Sequence, residues 1–327
     1  MRPLLLLVIC ALACCLCAQE AAPLKLTKTI SLPGVKGRFD HFAVDAQGNR
    51  LFVAALGNNS LEVIDLAAGK PLKSIASLHN PTGVLYLPLQ NQIAVANGDD
   101  GTFKLFDGVS YSLVKSLRSL DDADNMRFDP KTKLIYVGYG DGALGIIDSA
   151  TMKQTGSIKL AAHPESFQLE QNGSRIFVNL PDAKQVAVID REKQTVTATW
   201  RMTKFQANFP MALDEANHRL FVGCRKPPRL VVLDTANGKP VTDLAIAGDT
   251  DDLFYDAARK RLYVSCGEGF IDVIDQRDAD TYKLRERIPT SPGARTSFFS
   301  AELNEFYLAV PQREKQPAEI RVFQVGK

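Results

Sequence analysis

The chain has 327 residues, 45% of them hydrophobic, with 39 Lys and Arg against 37 Asp and Glu. That is ordinary globular composition with ample apolar material for a large core. A net charge of +2 lacks the basic excess that duplex nucleic acid or an anionic membrane would attract.

Met1-Arg2 is a short positive start, Leu4 to Leu16 is apolar, and Leu16-Cys17-Ala18 before Gln19 has the small-residue character of a cleavage site. Residues 1–18 are therefore expected to be a cleaved export signal peptide, and residues 19–327 a single domain that is periplasmic or secreted. An uncleaved anchor is the alternative, and so is a lipid anchor on Cys14, Cys15 or Cys17. No other segment approaches the roughly 20 apolar residues of a membrane span. Outside the leader only Cys224 and Cys266 remain, at the same position of consecutive repeats. Equivalent positions on neighbouring repeats are expected to exceed the roughly 7 Å Cα limit for a disulfide, so both read as buried free thiols.

Next along the chain, "LKLTKTISLP" (Leu24 to Pro33) is strand-like. A short apolar-aromatic-Val strand then recurs, beginning at Leu51, Ile93, Ile135, Ile176, Leu220, Leu262 and Phe306. A second motif follows each in phase and ends at Asp65, Asp107, Asp148, Asp190, Asp234 and Asp275, with a degraded last copy at Val322-Phe323-Gln324. One further strand precedes the aromatic strand and another follows the Asp, bounded by Gly, Asn, Asp and Pro. Four antiparallel strands in a repeat of roughly 42 residues make one propeller blade. The fold expected is an all-β, seven-bladed β-propeller. Its seventh repeat stops after three strands, and Leu24 to Pro33 is expected to supply the fourth, which closes the ring and removes the open edge. The repeated Asp reads as a turn-former whose carboxylate accepts nearby backbone N–H groups.

The phased "LYV/LFV … VID … GK" pattern resembles the YVTN-type β-propeller repeats of secreted and periplasmic bacterial proteins, the YncE-like group. The resemblance runs from about Leu24 to Val325. It implies the fold. For function it implies little, because that group and its relatives include dehydrogenase subunits, lactonase-like hydrolases and a DNA-binding protein.

Propellers bind ligands where the loops entering the innermost strands meet around the channel. Eleven residues before each aromatic strand stand Asp40, Thr82, Asp124, Glu165, Phe209, Asp251 and Arg295. One residue later stand His41, Gly83, Asn125, Ser166, Pro210, Asp252 and Thr296, with a one-residue slip conceivable in the longer fifth repeat. A purely structural position should repeat one residue type, and these do not. The expected ligand-binding set is Asp40, His41, Asp124, Asn125, Glu165, Asp251, Asp252 and Arg295. His79, Asp121, Asp122, His163 and Asp249 lie just upstream on the same face.

Three readings stay open. The ring binds a small polar or cationic ligand, or a divalent cation such as Ca²⁺ or Mg²⁺ through Asp40, Asp124, Glu165, Asp251 and Asp252. It is alternatively a hydrolase or lyase site of lactonase type, with His41 beside Asp40 as base and Arg295 stabilising an oxyanion. In the third reading these are solvated loop residues, and the blades are a platform for a protein partner. His79 and His163 are too far apart for a His-only zinc site, and His218 reads as a surface turn residue. No haem motif, nucleotide-binding glycine loop or Gly-x-Ser-x-Gly elbow is present. Arg225, Lys226 and Arg229 form one small basic loop, and Arg259, Lys260 and Arg261 another. Neither is interleaved with aromatics, so nucleic acid is not an expected partner. The domain is expected to be a monomer.

Overall fold

The computed structural model describes residues 22–326, and the expected leader at 1–18 lies outside the described residues. Seven four-stranded antiparallel sheets form the blades of a ring. Blade one shows the pattern, with strands Phe42–Asp45, Arg50–Ala55, Ser60–Asp65 and Lys70–Ile75 from the channel outward. The only helix among the described residues is a single 3₁₀ turn, Leu56–Asn58.

Burial explains the order. The second strand, Arg50–Ala55, is apolar on both faces and buried, because each face meets a neighbouring blade. The outer strand, Lys70–Ile75, is exposed except at Ile75 and carries Lys70, Lys73 and Ser74 beside an exposed Leu72. Phe52, Val63 and Ile75 of blade one pack against Val84, Ile93 and Val95 of blade two, and similar clusters fill the other spaces between blades.

Closure follows the expectation. Leu24–Leu32 pairs antiparallel with Ala318–Val325, from Leu24 opposite Val325 to Leu32 opposite Ala318. Ile30 and Leu32 then join Leu51, Val53, Ile64 and Tyr307 in the seam between blades one and seven.

The turn aspartates act as read in most blades. Asp107 accepts from the N–H groups of Val109 at 3.0 Å and Ser110 at 2.7 Å, and Asp148 from Ala150 at 3.1 Å and Thr151 at 2.7 Å. Blade six departs from the expectation. Its third strand runs on to Gln276, so Asp275 is buried beside Arg261 and Arg285, and Asp278 takes over the turn.

Cys224 and Cys266 are buried free thiols. Neither basic cluster is an exposed patch. Arg259 binds Asp256 and the Gly326 carbonyl, both at 2.9 Å, and Arg261 is buried between Asp275 and that carbonyl. Arg229 pairs with Asp243, and Arg225 turns inward to the channel. His218 is an exposed turn residue. No helix among the described residues is long and apolar enough to cross a membrane.

Candidate functional site

The residues before each inner strand are held by a repeated backbone clamp. Asp40 N–H donates to Ala54 O at 2.8 Å and Ala54 N–H to His41 O at 3.0 Å. The same pair of bonds links Asp124 and Asn125 to Gly138, and Glu165 and Ser166 to Asn179. The backbone is therefore fixed identically in these blades while the side chains differ.

All seven residues of the first ring, Asp40 through Arg295, line one cavity of about 220 Å³ at the channel mouth. Phe209 is among them although the inner strand of blade five, Gln206–Asp214, is irregular between Asn208 and Met211. Thus the structure brings together all eight residues of the expected ligand-binding set. It adds Arg38, Asn80, Asp122 and Arg225 to the lining.

Charge is organised differently on the two sides. On the side of blades five to seven, Arg295 Nη1 lies 2.9 Å from both oxygens of Asp249, and its Nε lies 2.9 Å from Asp251 Oδ2. Arg225 also pairs with Asp251, donates from Nε to Thr250 O at 2.8 Å, and stacks 3.8 Å above the Phe209 ring. Arg295, the residue that the lactonase reading gives to an oxyanion, is thus ion-paired through Nη1 and Nε while it lines the cavity.

On the opposite side, His41 Nε2 sits 3.5 Å from Asp40 Oδ1 and 3.7 Å from Asp124 Oδ1. Both separations exceed a normal hydrogen bond. Arg38 lies 3.6 Å from the other oxygen of Asp40. His163 Nδ1 is 2.8 Å from Gly140 O, and its Nε2 is 4.0 Å from Asp124 Oδ2. Asp40, His41 and Asp124 each offer a donor atom, all within 4.8 Å of one another. Among the described residues, the Glu165 carboxyl forms no hydrogen bond or ion pair.

The five carboxylates expected for Ca²⁺ or Mg²⁺ all line the cavity, but two of them already have partners. Asp251 is held by the two arginines, and Asp252 accepts the Ser297 N–H at 2.7 Å on the cavity floor. Asn125 is also nearly buried there.

Crowding shows in proton affinities. Burial, then the charges of Asp124 and Asp251, raise the Asp40 carboxyl well above its usual range. Burial together with Asp124 pushes Glu165 up to about 8, and burial with the nearby Asp251 and Asp40 pushes Asp252 to about 7. Burial also raises Asp251 despite Arg225 and Arg295. Asp124 goes the other way, because His163 and His41 outweigh its burial. His163 rises to about 9 against its burial, through Asp124, the Gly140 carbonyl and Asp122.

Sequence reasoning left Arg225 and His163 out of the set. Arg225 had a readable signal. Five residues past the start of each apolar-aromatic-Val motif stand Leu56, Gly98, Gly140, Pro181, Arg225, Gly267 and Pro311, and only blade five carries a charge there. Arg38 had no comparable signal, since it lies in the irregular approach to blade one.

No family model matches the chain. It is 24% identical over 197 residues to two curated proteins named "Uncharacterized protein YncE", from Salmonella typhi and Salmonella typhimurium. The match covers 58% of this chain and 55% of theirs, so the chain spans about half the length of the curated relatives it matches. Among solved structures it resembles a chain of Kuenenia stuttgartiensis hydrazine synthase, with TM-score 0.73, 17% identity, and 85% of this chain and 95% of that one covered. A chain of a mitotic checkpoint complex superposes with TM-score 0.79 at 13% identity, over 100% of this chain and 99% of that one. These likenesses support a YncE-like relationship and the propeller fold.

Proposed function

We propose that this YncE-like seven-bladed β-propeller binds a small cationic ligand at the mouth of its channel. One observation carries the reading. Carboxylates from blades one, three, four and six face a single cavity, Arg225 and Arg295 are engaged by Asp249 and Asp251, Arg38 lies beside Asp40 alone, and the Glu165 carboxyl has no hydrogen bond or ion pair among the described residues. Like charges held together raise one another's proton affinity, and a bound cation relieves the same repulsion. The cavity, at about 220 Å³, is below the roughly 300–1,000 Å³ of drug-sized clefts, so the ligand is small. Export by the N-terminal segment belongs to the same proposal, and N-terminal sequencing of the secreted or periplasmic protein tests it.

The test is thermal melting of the full chain at pH 8 with methylammonium, putrescine, Ca²⁺, Zn²⁺ and, as an anionic control, citrate. A ligand that binds only the native state raises Tm with concentration. The expected result is a rise with at least one cation, none with citrate, and a smaller rise in Glu165→Gln. A rise with citrate alone would overturn the reading.

A further inference from the structure

We infer that the cation held at the mouth is a divalent first-row transition ion, bound by Asp40, His41 and Asp124. The inference rests on the cationic reading above and narrows it to a metal. Blades one and three supply these residues, and blade two is thinned so that they can meet. Thr82, its counterpart in the ring, is short and turns its hydroxyl to Ala123 O at 2.6 Å. Beside it stands Gly83, where a Cβ would lie 2.2 Å from Asp124 O. Any larger residue there would push Asp124 outward.

The spacing suits a shared ion better than hydrogen bonding. His41 Nε2 stands 3.5 and 3.7 Å from one oxygen of each carboxylate, and its ring has no hydrogen bond among the described residues. Two ligands bound at about 2.0–2.1 Å to a tetrahedral ion lie roughly 3.3 Å apart. Asp124 turns its second oxygen to His163, whose ring is anchored through Nδ1 to Gly140 O at 2.8 Å. At 4.0 Å His163 does not hydrogen-bond Asp124, and it stands behind that carboxylate as a nearby imidazole rather than as a ligand. All three residues line the cavity, so a bound ion would have room for water or a small molecule as a further ligand, as in open zinc sites.

The donor types choose the metal. Ca²⁺ takes six to eight oxygens, and Asp251 and Asp252 are committed elsewhere. One imidazole with two carboxylates suits Zn²⁺, Mn²⁺ or Fe²⁺.

The experiment is calorimetric titration of the metal-stripped full chain with Zn²⁺ and with Mn²⁺, repeated on His41→Ala, Asp124→Asn and His218→Ala. One ion per chain is expected, with affinity lowered more than about tenfold in the first two variants and unchanged in the third. Should those two fail to fold, Co²⁺ added to the wild-type protein must give a visible spectrum of a low-coordinate nitrogen and oxygen site. No binding of either ion, or binding undiminished in His41→Ala, or the absence of that Co²⁺ spectrum overturns the inference. If methylammonium or putrescine still raises Tm in that case, the general cationic reading survives.

Discussion

Aspartate occurs at both ends of these blades and behaves in opposite ways. At the end carrying the third-to-fourth-strand turns, Asp107, Asp148 and Asp190 are half-buried and hydrogen-bonded. Backbone N–H groups with the Ser110, Thr151 and Lys193 side chains hold them below the usual carboxylate range. At the channel mouth, Asp40, Asp251 and Asp252 are raised, first by burial. The residue type is the same, and the surroundings set the sign. A carboxylate repeated in register is a folding device. One at a position whose residue type changes from blade to blade, buried beside other acids, is available for binding.

Removing Arg225 should break that contrast most strongly, because it leaves the partly buried Asp251 with Arg295 alone and uncovers Phe209. Arg225→Ala is expected to cost about 2 kcal/mol, reduced from the fully buried case by the part exposure of both groups. Urea unfolding would measure it, and an unchanged midpoint would show that the pair is idle.

Next in size is the pH dependence. Glu165 is raised in the folded protein to about 8 against 4.5 for the free side chain. Its contribution is therefore full below about pH 4.5 and is lost as pH rises through 8. The metal-free protein should melt at progressively lower temperature from pH 5 to 9, and Glu165→Gln should flatten that decline. The turn end has the opposite sign. The lowered carboxyls of Asp107, Asp148 and Asp190 contribute above their unfolded range near 3.8 and lose that contribution as pH falls through their lower folded values. Asp148→Ala should accordingly lower Tm slightly at neutral pH and leave cation binding unchanged. A changed affinity would mean that the two ends are coupled.

The smallest expected effect is none at all. Cys224 and Cys266 are fully buried, and burial pushes the Cys224 thiol up to about 12 and the Cys266 thiol higher still. Peptide mapping after treatment of the native protein with a thiol reagent should find neither residue labelled, and both labelled after unfolding.

The fold was legible because it is written seven times. The strands beginning at Leu51 through Phe306, and the closing role of Leu24 to Pro33, follow from periodicity alone. Position in the ring was legible for the same reason, so the expected side chains meet at one cavity. Their pairings were not. Whether Arg295 faces a ligand or is consumed by Asp249 and Asp251 depends on distances across the axis, which no repeat spacing encodes. The same holds for His163, which stands two residues before Glu165 yet lies 3.3 Å from Asp122 and 4.0 Å from Asp124, both ahead of the inner strand of the preceding blade. Blade six shows the limit of periodicity even for folding, since its third strand runs one residue past Asp275 and the turn carboxylate is Asp278 instead.

The uncompensated carboxyl at the mouth can be measured directly. NMR titration of the metal-free protein carrying ¹³C-labelled glutamate, with Glu165 assigned by comparison with Glu165→Gln, reads its proton affinity in place. A midpoint near 8 is expected. A midpoint in the ordinary range near 4.5 would mean that Glu165 is solvated and the acids do not crowd, and the account of this site would be wrong.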